Sequence, residues 1–109
     1  MKNMDAVKLS QLPTRTLFSG EQIPAVGLGT FGSDKYTAEE VAQAVEGAVK
    51  VGYRLIDCAA VYGNEARIGE VLHRLLEQKA VTRQELFITS KVWNDMHRQV
   101  ETSCDRSLA

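Results

Sequence analysis

Gly27-Leu28-Gly29-Thr30-Phe31-Gly32 is the stretch on which the fold turns. Its letters match G-x-G-x-x-G, the glycine fingerprint of doubly wound dinucleotide-binding sheets. Asp57 even ends the next strand, where a ribose-binding acid would be sought. That fingerprint works only when its last glycine lies in the first helical turn, so that free N–H groups receive a pyrophosphate. Here Thr37-Ala38-Glu39-Glu40 follows, a capping box that sets the helix start at Thr37, five residues beyond Gly32. The preceding run also contains Pro24, which suits an edge better than a buried central strand. The glycine stretch therefore reads as a flexible strand-to-helix loop at the mouth of a site.

On the N-terminal side, Thr14–Phe18 and Gln22–Val26 flank a Ser19-Gly20 turn signal and predict a small hairpin. Residues 1–13 are aperiodic and read as a loose tail. Val41, Ala44, Val45, Ala48 and Val49 recur on one helical face, and Gly52 stops that helix. Tyr53–Asp57 reads as a strand. Asn64 can cap a second helix whose apolar stripe is Ile68, Val71, Leu72, Leu75 and Leu76. Thr82–Glu85 makes a turn before a second strand, Leu86–Ser90. A third helix is predicted from near Asp95, with Val100, Cys104 and Leu108 on one face, and the sequence ends inside it. Strand and helix alternate as in right-handed βαβ units with a parallel sheet, either a doubly wound sheet or a (β/α)8 barrel.

Composition narrows the function classes. The 109 residues carry 13 basic and 14 acidic side chains, a net charge of −1, with 44% hydrophobic and 25% charged residues. That balance gives no electrostatic footprint for nucleic acid or an anionic membrane. No apolar run nears the roughly 18–20 residues of a membrane span, and Met1–Val7 does not read as a secretory signal. Cys58 and Cys104 read as reduced thiols of a cytoplasmic protein. With His73 and His97 they show no metal-ligand spacing. Both histidines read as solvent-facing, and Cys58 reads as a small buried side chain.

The chemistry gathers at the strand ends. Asp57 closes the first clear strand and Lys91 follows the second. Period-two alternation puts Tyr53, Leu55 and Asp57 on one face, and Phe87, Thr89 and Lys91 on one face of its neighbour. If the faces coincide, carboxylate and ammonium meet at the C-terminal edge, where α/β folds place their sites. Tyr62 lies five residues past Asp57, near the same rim. A free phenol titrates near pH ~10 and is a poor acid at neutrality. A nearby ammonium stabilises its phenolate, and Asp57 would keep that ammonium charged and oriented. Spacing alone is equally compatible with a structural ion pair and an unrelated tyrosine.

Gly52–Glu65 (GYRLIDCAAVYGNE) resembles the signature of the aldo-keto reductase family, with Val26–Phe31 before it and Ile88–Trp93 after it in the family's order. The resemblance runs from about Thr14 to the end of the chain. It implies the N-terminal portion of a (β/α)8 TIM barrel, a hairpin plus about three βα units. It also implies NAD(P)H-dependent reduction of an aldehyde or ketone to an alcohol, with NADP(H) the expected cofactor and NADH possible. By resemblance Tyr62 is the proton donor, Lys91 lowers its pKa, and Asp57 pairs with Lys91 and helps place the nicotinamide ribose. Gly29, Thr30 and Phe31 lie beside the cofactor, and Phe31 and Trp93 wall the pocket of a small carbonyl substrate. The family's catalytic histidine belongs to a later strand, and His97 does not replace it. An eight-unit barrel takes about 250 residues, so residues 14–109 read as an incomplete domain, inactive alone. The alternatives are a non-catalytic interaction product and a small dinucleotide-binding module. The module requires a helix that begins inside the glycine motif.

Overall fold

The computed structural model describes residues 12–32, 34–93 and 97–108. Most of the stretch assigned to a loose tail, residues 1–11, lies outside them. The hairpin forms, shorter than its flanking runs: β1 (Thr14–Thr16) pairs antiparallel with β2 (Gln22–Pro24), Arg15 opposite Ile23.

The glycine stretch is not only a loop. Leu28–Gly29 forms β3, the first strand of a parallel sheet, with Leu28 beside Ile56 and Gly29 beside Asp57. A two-residue strand has no alternation to betray it, and pairing with its neighbour creates it. Gly27 allows the close approach, since a Cβ there would lie 2.5 Å from Leu55 Cγ.

Helix α1 (Ala38–Val51) starts where the capping box places it. The Thr37 N–H donates to Glu40 Oε1 at 2.9 Å, and the Glu40 N–H donates to Thr37 Oγ1 at 3.1 Å. Gly32 thus lies outside the helix, and the doubly wound reading of the motif falls. The buried stripe of α1 is Ala42, Val45 and Val49, whereas Ala44 is exposed. Alanines mark a face weakly, and the helix is rotated slightly from the expected stripe. Gly52, at φ 120°, ends α1 in a conformation open to glycine.

Strands β4 (Leu55–Asp57) and β5 (Phe87–Thr89) lie side by side and parallel, Leu55 opposite Phe87 and Asp57 opposite Thr89. The sheet order is β3-β4-β5. Helix α2 (Glu65–Glu77) buries Ile68, Val71, Leu72 and Leu75 as its spacing predicts. Asn64 occupies its N-cap position, but its side chain makes no cap hydrogen bond. A capping-box turn at Thr82–Glu85 leads into β5, the Thr82 N–H donating to Glu85 Oε1 at 2.9 Å.

Helix α3 covers Val100–Leu108; Asp95 lies outside the described residues, but His97–Gln99 are not helical, so the helix starts later than the expected position near Asp95. Its buried residue is Ser103, while Val100, Cys104 and Leu108 are exposed. The expected apolar face therefore does not pack. Hydrogen bonding to α2 orients the helix instead, through Ser107.

The core lies between the helices and one face of the sheet. Ile56 and Cys58 meet Val45, Val49, Ile68, Leu72, Leu75 and Leu86 there. Burial of each larger aliphatic contributes roughly 1.5–3 kcal/mol. On the opposite face Leu55 and Phe87 are only half-buried, and among the described residues no layer covers them. Exposed ion pairs join α1 to α2, Glu39 with Arg67 and Glu46 with Arg74.

Candidate active site

The parallel register brings the sequence-derived residues together at the C-terminal edge of the sheet. Lys91 Nζ donates to Asp57 Oδ2 at 2.9 Å and to the Cys58 carbonyl at 3.0 Å. An ammonium has three N–H donors, so one remains. The Tyr62 ring lies beside the ammonium. A short 3-10 turn, Ala60–Tyr62, carries the chain back over the strand ends, and Gly63 ends it in the left-handed region at φ 72°. The result sets Lys91 Nζ 5.2 Å from the centre of the Tyr62 ring. The Phe31 ring meets the same phenol edge-on, with centres 5.2 Å apart and planes at 61°.

The charges stabilise one another. The hydrogen bond from Thr89 holds the Asp57 carboxyl below its ordinary pKa, and the Lys91 ammonium adds to the effect against a smaller cost of burial. Pairing with Asp57 raises the Lys91 pKa above its usual value. Burial opposes this, and the neighbouring Tyr62 phenol reinforces it. Lys91 is thus a cation through the neutral range. Burial pushes the Cys58 thiol up, which makes it a poor nucleophile, in keeping with its place in the core.

Thr30 is fully buried and joins two strand ends. Its N–H and Oγ1 donate to the Asp57 carbonyl at 3.1 and 2.9 Å. Gly29, beside Asp57 in the sheet, is exposed. Phe31 and Trp93 are exposed as well, at 62% and 55%. His73 and His97 both face solvent, His73 within 3.4 Å of Glu77.

Sequence reasoning missed three features. Thr89 Oγ1 donates to Asp57 Oδ1 at 2.5 Å; the alternation that set Thr89 on the face of Asp57 could have exposed it. Asn64 donates Nδ2 to the Thr30 carbonyl at 2.9 Å instead of capping α2. Glu65 accepts from Ser90 and Ser107, tying α2 to the end of β5 and to α3. Among the described residues no group of His, Cys, Asp and Glu could hold a metal ion. No described helix is long and apolar enough to cross a membrane.

Parallel βα units with an acid, a lysine and a tyrosine at the C-terminal strand ends define an α/β sheet with an enzyme-like edge. Comparison with known proteins identifies the family. The Aldo/keto reductase family matches residues 25–109, and the chain belongs to it. It is 53% identical over 81 residues to an aldo/keto reductase of Synechocystis, 74% of this chain and 24% of that protein. It is 46% identical over 96 residues to an NADPH-dependent D-xylose reductase of Meyerozyma guilliermondii, 86% of this chain and 29% of that protein. The solved structure of a Bombyx mori aldo-keto reductase in complex with NADP matches with a TM-score of 0.83 and 42% identity. That match covers 90% of this chain and 34% of the other. The chain thus spans about a quarter to a third of the length of these relatives.

Proposed function

We propose that this chain supplies the N-terminal part of an NAD(P)H-dependent carbonyl reductase, with Tyr62 as its proton donor. The observation that carries the reading is the placement of Lys91 between the Asp57 carboxylate and the Tyr62 ring. Gly29 fits a nicotinamide beside Asp57, because a Cβ there would meet no atom within 4 Å and the edge stays open. Asp57 would receive the ribose on this side, and the backbone at Thr30, fixed to Asp57, would border it. The reduced nicotinamide, when bound, supplies the hydride that goes to the carbonyl carbon.

The chain's own residues manage the proton. Tyr62 gives its hydroxyl hydrogen to the carbonyl oxygen as that oxygen gains negative charge, so an alcohol and a tyrosinate result. Lys91 stabilises the tyrosinate by its positive charge, and Asp57 keeps Lys91 charged and in place. A solvent proton then restores the phenol. Phe31 and Trp93 form aromatic walls for a small aldehyde or ketone. A relative named as NADPH-dependent and another solved with NADP support NADP(H) as the cofactor, and a relative named as NAD(P)H-dependent supports NADH as a second donor.

The test uses the full-length polypeptide that carries this sequence, mixed with NADPH or NADH and a panel of small aldehydes. The expected result is aldehyde-dependent oxidation of the dihydronicotinamide with one alcohol formed per cofactor, faster with NADPH. No turnover on any aldehyde or ketone, with the cofactor bound, would refute the reading. Residues 1–109 alone are expected to be inactive.

A further inference from the structure

We propose that Thr89 is a positioning residue of this site: its hydroxyl fixes the Asp57 carboxylate so that one oxygen is left to face Lys91. Attraction between a carboxylate and an ammonium has little directionality, and the Asp57 side chain is 44% exposed. Such a group at a strand end has several rotamers unless something selects one.

The sheet register makes the selection. Asp57 and Thr89 are direct partners across β4 and β5, on the same face. Thr89 Oγ1 donates to Oδ1, and Lys91 Nζ donates to Oδ2. Both carboxylate oxygens are thereby committed, each to a different residue. Threonine suits the task because its branched Cβ restricts χ1, which holds the hydroxyl still. The Asp57 backbone is pinned independently from the β3 side, by the N–H and Oγ1 of Thr30. Main chain and side chain of Asp57 are therefore fixed from opposite neighbours. Lys91 inherits that precision, and with it the place of its ammonium beside the Tyr62 ring.

A valine at position 89 keeps the shape and the strand preference but removes the donor. Oδ1 then turns to water and the carboxylate gains a second orientation. The consequence for turnover rests on the reductase reading above; the consequence for the carboxylate does not.

The experiment uses Thr89→Val and Thr89→Ser in the full-length polypeptide, with Thr89→Ala in reserve should the valine variant not fold. The Asp57 side-chain carboxyl is followed by carbon-13 NMR against pH, with Lys91, Tyr62, Cys58 and Glu65 the titratable groups around it. In the valine variant the midpoint should rise by on the order of one unit, and in the serine variant it should stay near the parent. With an aldehyde substrate, kcat of the valine variant should fall on the order of tenfold, the scale of one hydrogen bond to a charged group. KM should hold, and serine should restore kcat. A valine variant that titrates as the parent does, or a serine variant that shifts with it, overturns the proposal. A parent that reduces no carbonyl defeats the reductase reading, and the titration then decides the role of Thr89 by itself.

Discussion

Thr30 and Asp57 are joined twice, the N–H and the hydroxyl of Thr30 both donating to the Asp57 carbonyl. The Thr30 carbonyl in turn accepts from Asn64, which lies two residues past Tyr62. The glycine stretch, the strand that ends in Asp57 and the turn that carries Tyr62 are thus locked together at one edge. This clamp, together with the ion pair, holds the site's frame.

Asn64→Leu should therefore destabilise the full-length protein. It leaves the buried Thr30 carbonyl without its donor, a loss of about 1–3 kcal/mol, readable as a lower midpoint in denaturant. Asn64→Asp sets acceptor against acceptor and should cost at least as much at neutral pH. Unchanged midpoints in both variants would show that the clamp carries no stability.

Gly27→Ala should also destabilise. The new Cβ would overlap Leu55 Cγ, Cδ2 and Cβ, all within 2.9 Å, so β3 or Leu55 must move. Overpacking of this kind costs roughly 1–3 kcal/mol. Gly29→Ala is the control, since its Cβ meets open space, and thermal unfolding of the two variants should separate them clearly.

The Asp57–Lys91 pair should be insensitive to pH across the neutral range. The pKa of Lys91 is raised in the fold, so its contribution is complete below the ordinary lysine value and fades as pH climbs through the raised one. That of Asp57 is lowered, so its contribution is complete above the ordinary carboxylate value and fades as pH falls through the lowered one. A double-mutant cycle with Asp57→Asn and Lys91→Met should give a constant coupling from about pH 5 to about pH 10, vanishing in strong acid. A coupling that changes near neutrality would contradict the pairing.

Residues 1–109 expressed alone should unfold without a sharp transition and bind a hydrophobic dye. Leu55 and Phe87 lie on an uncovered sheet face, and the outer edges of β3 and β5 have no partner strand among the described residues. Calorimetry checks this, and a single cooperative peak from a monomer would count against it.

The sequence made some of these relationships legible and concealed others for physical reasons. The Thr37–Glu40 capping box and the stripe from Ile68 to Leu75 specify helices locally, and period-two alternation was enough to bring Asp57 and Lys91 to one edge. β3 was hidden because two residues cannot show alternation and because its pairing is non-local. α3 misled because its packing runs through Ser103 and Ser107, where apolar periodicity is silent. Asn64 has the residue type and position of a cap, and only the approach of Thr30 diverts it. Thr89 stood on the right face, but a threonine in a strand usually means no more than strand preference.

The proton-donor role of Tyr62 is tested by Tyr62→Phe in the full-length polypeptide, with turnover and cofactor affinity measured on the same sample. Loss of the hydroxyl removes the proton donor while leaving the ring against Phe31 and Lys91. NADPH binding should stay close to the parent and kcat should fall on the order of a hundredfold or more, the scale of general acid catalysis. Aldehyde reduction at near-parental kcat would contradict that role.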